Sequence, residues 1–351
     1  MLPHVLRLAI DTLEVTYRGE LISEMHGRLA IAKQEAQSGN APVPIVLGGV
    51  EFFVQPTGLK GYDYRVENDY FQLRIGVSKY RPLVWAKFLA YGLATIGPEP
   101  MLKRLPVMLA DLGAIEQPRL SRVDVACDVQ GFEVTEAEMR NVVWKGRYRN
   151  YHEEGDGITY QFGKRDCVVR IYNKTVQAKK KRLSYVQELW EACLGYDHTK
   201  DVQRIEVQLR GGILTELRLL WPATALGRIA AILAFGMEWA ELKVPTKDAT
   251  RARWPVDPRW SHIRETCRPS APLKRILRTP RLEARDRSVK RLLGALATIA
   301  AYDGLDDLGR VSTSVVSGLL DQVDKGELDF GLLVEAKRRR LGVSDVPEGA
   351  F

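Results

Sequence analysis

Apolar and polar positions alternate in short runs up to about residue 222, and then settle into a helical rhythm. Residues 6–17 alternate with period two and predict a strand, and residues 22–37 carry helical periodicity with good helix formers. Short β-rich runs at 51–54, 62–66 and 70–77 are separated by Gly, Asn and Asp. Residues 84–93 and 101–112 read as helices. The order then recurs: a strand over 119–129, a helix over 135–143, strands at 158–162 and 167–172, a helix near 186–194 and a strand at 202–209. Residues 225–242 predict one long helix, residues 243–272 an irregular connector with five prolines and two tryptophans, and amphipathic helices follow at 287–302 and 312–325. A last basic helix ends in the run at 337–340.

The expected class is α+β, with antiparallel sheets, flanking helices and a helical C-terminal region. Four segments follow: an N-terminal α/β half (1–115), a second α/β half expected to carry the chemistry (116–222), a helix and connector (223–272) and a helical region (273–351). "RLAIDTLEVT" echoes "RLSRVDVACDV", and "YDYRVENDYFQLRIG" echoes "ITYQFGKRDCVVRIY". Either an old duplication of a β-rich unit or chance likeness produces such an echo.

Composition narrows the class further. The chain has 351 residues, 45% hydrophobic and 27% charged, which fits globular cores. Its formal charge of +8 suits a polyanionic partner such as nucleic acid, or simple solubility. Cys127, Cys167, Cys193 and Cys267 form no C-x-x-C pair, so neither a zinc ribbon nor a disulfide scaffold is expected. They read as reduced thiols of a cytoplasmic protein. No secretory leader is expected, and the most apolar stretch, 223–236, is interrupted by Arg228 and is too short to cross a bilayer.

Three predicted strands share one pattern. Side chains alternate faces along a strand. One face carries Arg122, Asp124, Ala126 and Asp128; a second strand presents Val168, Arg170, Tyr172 and Lys174; a third presents Arg204, Glu206, Gln208 and Arg210. The opposite faces are mainly apolar. If the three are neighbours, their polar sides pool three carboxylates, a tyrosine, a lysine and several arginines. Asp124, Asp128 and Glu206 suit a hard divalent cation, Mg²⁺ or Mn²⁺, which would polarise a phosphate. The cations would clamp it, and Tyr172 would attack it. A solvated sheet face held by cross-strand ion pairs has the same pattern.

The segments "RVDVACD" (122–128), "GITYQFGKRDCVVRIYNK" (157–174) and "RIEVQLRG" (204–211) resemble the Rep_trans family of replication initiation factors. That family includes plasmid rolling-circle initiators and related relaxases of conjugative elements. "IDTLEVTY" (10–17), "GYDYR" (61–65) and "TRARWPVDPRW" (250–260) extend the likeness to about residues 8–265. The resemblance implies a site-specific nick in origin DNA, a tyrosine linked to the 5′ phosphate and a free 3′ hydroxyl. It implies Tyr172 as nucleophile, Asp124, Asp128 and Glu206 as metal ligands, and Lys174, Arg204 and Arg210 as phosphate contacts. Nothing transfers to residues 275–351. Tyr160, on the preceding strand, is a competing tyrosine.

His4, His26, His152, His198 and His262 include no His-x-His pair, so carboxylates must supply any metal cradle of such an initiator. Tyrosine-recombinase chemistry is not expected, because the one His-x-x-Arg lies at His4–Arg7, with no Arg-bearing segment before it. Arg122 and Arg170, with Lys179, Lys180, Lys181 and Arg182 after the tyrosine strand, are candidate DNA contacts. Trp254 and Trp260, among Arg251, Arg253 and Arg259, either stack on unpaired bases or pin the connector to the core. No P-loop is present, so a host helicase is the expected partner besides DNA, and a homodimer is open. Three alternatives stand beside an initiator: a conjugative relaxase, a DNA-binding protein without chemistry, and a carboxylate nuclease that uses water.

Overall fold

The computed structural model describes residues 2–341 except Lys79, Arg147, Gly155, Asp156, 275–279 and Leu328. The chain forms two compact units, Met1–Ile276 and Leu277–Phe351. The first opens with β1 (His4–Tyr17), α1 (Ser23–Gly39), β2 (Val43–Leu47), β3 (Val50–Val54), β4 (Tyr64–Glu67), β5 (Phe71–Ile75), β6 (Val84–Phe88), α2 (Ala90–Thr95) and α3 (Pro98–Leu109). It continues with β7 (Arg119–Gln130), α4 (Glu136–Met139), β8 (Val142–Trp144), β9 (Arg149–Glu154), β10 (Gly157–Phe162), β11 (Cys167–Asn173), α5 (Lys174–Lys180), α6 (Ser184–Glu191) and β12 (Val202–Arg210). It closes with α7 (Gly212–Glu216), α8 (Pro222–Leu226), α9 (Ile229–Trp239), β13 (Ala240–Leu242) and α10 (Pro258–Thr266). The second unit holds α11 (Pro280–Asp303), α12 (Leu308–Asp324) and α13 (Phe330–Leu341), with α11 and α12 packed together.

Eleven strands form one antiparallel sheet in the order β2-β3-β4-β5-β6-β1-β7-β12-β11-β10-β9, and β13 and β8 form a small second sheet. The α+β class holds. The order is nearly a mirror about the β1–β7 seam: each half starts with its central strand, puts a helix next, and returns its last strand beside its first. The weak sequence echo therefore falls on matching positions of the topology.

Strand β1 pairs with β6 on one side and β7 on the other, so the two halves share one sheet. On its core face Leu13, Val15 and Tyr17 are fully buried. The apolar face of the second half, with Val123, Val125, Cys127, Val169, Ile171, Ile205, Val207 and Leu209, is equally buried. Helix α9 covers it, packing on β12, β7, β1 and β11. Contact is closest at Gly236, where a Cβ would stand 2.3 Å from Cγ2 of Val207.

Several expected elements differ. Residues 84–93 are not one helix: β6 takes Val84–Phe88 and α2 follows, because the stretch pairs between β1 and β5, and tertiary pairing outweighs local propensity. The helix expected at 135–143 shrinks to α4, held by a capping box between Thr135 and Glu138, before β8 begins. Residues 225–242 break at Gly227 and end in β13. The connector contains α10, whose Trp260 is fully buried and donates from Nε1 to the Met237 carbonyl at 3.0 Å. Trp260 is thus a core residue. Strands β2 and β9 had no sequence expectation. Cys127, Cys193 and Cys267 are free thiols, and Cys127, Cys167 and Cys267 are buried. Among the described residues no helix is long and apolar enough to cross a membrane.

The tight seat of α9 predicts that Gly236→Ala will destabilise the fold by about 1–3 kcal/mol, because the stiff Val207 side chain cannot swing aside. Urea unfolding should show it as a lower midpoint at an unchanged slope.

Candidate active site on the polar face of the sheet

Strands β7, β12 and β11 are neighbours, and their registers bring the polar faces together. Asp128 lies opposite Arg204, which lies opposite Tyr172. Ala126, Glu206 and Arg170 form the next row, and Asp124, Gln208 and Val168 the one after. Directly opposite residues share a face. The face is not the solvated surface that the pattern allowed. Asp124 is 1% exposed, Asp128 2%, Gln208 3%, Arg204 5%, and Glu206 and Tyr172 7%.

The end of β11 shows how a local signal builds the site. Asn173 caps α5, its side-chain oxygen accepting the Val176 N–H at 3.0 Å. The chain therefore turns from strand to helix between Tyr172 and Lys174. Lys174 is the first residue of α5 rather than the last of a strand, and its Nζ stands 5.8 Å from the Tyr172 ring centroid. It donates to Gln177 at 2.6 Å, and burial lowers its ammonium to about 8. Residues Lys179, Lys180, Lys181 and Arg182 are all exposed at the far end of α5.

The Tyr172 hydroxyl donates to Oε2 of Glu206 at 2.9 Å. Burial, and then the Glu206 charge, raise its pKa well above the ordinary phenol value, so the resting hydroxyl keeps its proton. The other Glu206 oxygen accepts from Arg170 Nη1 at 2.8 Å. Arg170 is fixed further by Gln161 at 3.0 Å and Gln208 at 3.1 Å. A cavity lined by Thr159, Tyr172, Val176, Gln177 and Lys180 adjoins the tyrosine from the β10 and α5 side.

Beside it lies a buried ion pair. Arg204 grips Asp128 with two bonds, Nε to Oδ1 at 2.6 Å and Nη2 to Oδ2 at 2.8 Å. Trp190 of α6 donates to the same carboxylate at 2.9 Å. Desolvation alone would raise the Asp128 carboxyl, but the Arg204 charge and these bonds outweigh it and hold it below the ordinary value. Arg204 also reaches Asp11 at 2.6 Å. Asp11 sits where the β1–β7 register slips between Ile10 and Thr12. Such a slip re-aims a side chain, and alternation alone does not reveal it. Asp11, Trp190, Gln161 and Gln208 were missed as site residues. Of these Trp190 carried no signal, whereas Asp11 lies in "IDTLEVTY", Gln161 in "GITYQFGKRDCVVRIYNK" and Gln208 on the polar face of its strand.

Arg122 grips Asp124 with both a 2.8 Å Nε bond and a shorter Nη2 contact, and reaches Glu14 at 3.5 Å. Burial, against the pull of Arg122, pushes the Asp124 carboxyl up to about 7. Arg210 is not part of the tyrosine cluster. It pairs across the strands with Arg122, six residues along β12 from Arg204, and is exposed. The side chains of the basic run 337–340 lie outside the described residues.

The three expected metal ligands do not fit a shared ion as arranged. Arg122, Arg204 and Arg170 each hold one of the carboxylates Asp124, Asp128 and Glu206. Among the described residues no three His, Cys, Asp or Glu side chains come together as a group that could hold a metal. A divalent ion shared by the three requires the guanidiniums to give them up.

No family model and no curated protein matches the chain. Among solved structures, the chain is similar to a rolling circle replication initiator protein from Geobacillus stearothermophilus, with 18% identity, a TM-score of 0.49, and coverage of 77% of this chain and 100% of that one.

Two measurements test the electrostatics. Asp128→Ala leaves Arg204 buried without its main partner and should cost about 3–5 kcal/mol. Because folding lowers the Asp128 pKa, its stabilisation is complete above the ordinary carboxylate range and fades as pH falls through the lowered value. The variant should lack that part of the acid-induced loss in thermal melts. In the second, Mg²⁺ or Mn²⁺ added to DNA-free protein should leave the melting midpoint unchanged. A rise of several degrees would show that the arginines yield to the ion.

Proposed function

We propose that this protein nicks DNA through Tyr172 and becomes linked to the new 5′ phosphate, as a rolling-circle replication initiator does. One observation carries the reading: the buried Tyr172 hydroxyl donates to Glu206 in a setting of Arg170, Lys174 and Arg204. A tyrosine in a mere packing role does not need a carboxylate acceptor on one side and cations on the others. The resemblance of "RVDVACD", "RIYNK" and "RIEVQLRG" to the Rep_trans motifs points to the same residues.

The chemistry follows from the contacts. A phosphodiester reaches Tyr172 from the side of Thr159 and Lys180, where the cavity adjoins the ring. Tyr172 gives its proton to Glu206 as its oxygen bonds to phosphorus. The bond from phosphorus to the 3′ oxygen breaks, and that oxygen leaves as a hydroxyl. Lys174, with its pKa near 8, is the acid beside the ring that supplies the proton. Arg170 offsets the charge that builds on the phosphoryl oxygens. Exposed Lys179, Lys180, Lys181 and Arg182 hold the backbone further out. A divalent ion, Mg²⁺ or Mn²⁺, is the cofactor that the resemblance implies, and its part rests on that resemblance alone. Origin DNA is the proposed substrate, with a helicase as partner.

Tyr172→Phe should abolish both the nicking of supercoiled plasmid and the covalent protein–DNA adduct while leaving DNA affinity nearly unchanged. An adduct that survives this change would move the nucleophile elsewhere. Glu206→Gln, which keeps a hydrogen-bond acceptor but loses the base, should slow nicking by about 10²-fold or more. A relaxed product without any adduct would favour a nuclease that uses water, and plasmid left intact by the unaltered protein would favour a DNA binder.

A further inference from the structure

The polar face does not stop at the tyrosine's half of the sheet. Cross-strand partners carry it over the seam: Arg210 lies opposite Arg122, Arg122 opposite Glu14, Glu14 opposite Lys87, Lys87 opposite Gln72, and Gln72 opposite Glu67. A second row runs Thr16, Trp85, Arg74, Arg65. Arg65, Gln72, Lys87 and Arg122 are half-buried there. Arg65 pairs with Glu67 at 2.8 Å, Gln72 donates to the same carboxylate at 2.9 Å, and Arg122 is held by Asp124.

Arg74 is the unusual member. It is 7% exposed, yet its Nε is buried without a hydrogen-bond partner. Its guanidinium lies 3.4 Å from the ring centroid of Trp85. A buried guanidinium donor without a hydrogen-bond partner is costly, and the Glu14 carboxylate on the same face offsets it only through its charge. Held against the buried indole, its charge adds to the positive potential of the face.

We propose that the polar face of β1, β6, β5 and β4 is a track for single-stranded DNA, on which Lys87 and Arg65, with the charge of Arg74 behind them, hold the strand that leads away from Tyr172. The proposal rests on the reading of Tyr172 as the nicking residue. Two features choose the occupant. Cations outnumber the acids Glu14 and Glu67 along the rows, which suits a phosphate backbone. The face is also continuous, strand by strand, with the site where the DNA would be cut. From β11 to β4 are six strand-to-strand steps, about 29 Å, and the rows lie six residues along β12 from Arg204, about 20 Å, so the span from Tyr172 is about 35 Å, the reach of roughly six to ten nucleotides.

The test uses the full-length protein and fluorescent single strands. One spans the nick site alone; the other extends it by about ten nucleotides. In the unaltered protein the longer strand should bind more tightly. Its dependence on salt should be steeper by about 1.4 or more in the log–log slope, for two or more added phosphate contacts. Joint Lys87→Gln and Arg65→Gln changes should weaken the longer strand about fivefold and leave the short one unaffected. Equal slopes for the two lengths in the unaltered protein overturn the track, whether or not the double variant folds. A duplex extension that binds better than the single strand overturns it too. A long-strand advantage in a protein that neither nicks nor forms an adduct keeps the track and removes the Tyr172 reading. Nicking without that advantage removes the track alone.

Discussion

The buried pair of Arg204 and Asp128 is the constraint around which the site is arranged. It joins β12 to β7 by two bonds, recruits Trp190 from α6, and extends through Arg204 to Asp11 on β1. Both ions are almost wholly out of water, so neither can lose its partner cheaply. Four elements are therefore held in one relation: the helix above the face, the two middle strands and the bulge in the first strand. Tyr172 lies directly across from Arg204, and its position is inherited from that relation.

A second pairing grows from the same geometry. Glu206 takes the Tyr172 hydroxyl with one oxygen and Arg170 with the other. The face is thus a chain of acids and guanidiniums in which each acid has a specific cation. In so little water this satisfaction is what keeps the charges tolerable. It also explains why three carboxylates at metal-like spacing in the sequence do not form a metal-binding group. Arginines on the same or the adjacent strand reach them first.

The two-half topology gives the molecule its breadth. β1 and β7 sit back to back at the seam, so polar residues of one half run on into the other. The tyrosine's half has helices α5 and α6 lying near its polar residues. The N-terminal half leaves Lys87, Arg65 and Gln72 half-buried. A site for chemistry and a surface for a long ligand can share one sheet on those terms.

Alternation by itself determined the strands that matter and the face each polar residue takes. The period of two is a covalent property of extended backbone, so Tyr172, Glu206, Asp128 and Asp124 were legible as a set. Pinning of the connector by Trp260 was one of two readings the sequence offered, and the structure selects it. The sequence could not decide that the three strands are adjacent, because pairing joins residues far apart in the chain, 76 positions in the case of Asp128 and Arg204. Nor could it decide which acid meets which arginine, that Asp11 is turned inward by a register slip, or that β6 is a strand. Those depend on neighbours that only the closed sheet supplies. Burial changed the meaning most: residues that read as a wet face are dry, since α5 and α6 close over part of it, and in that dryness each charge must find a partner.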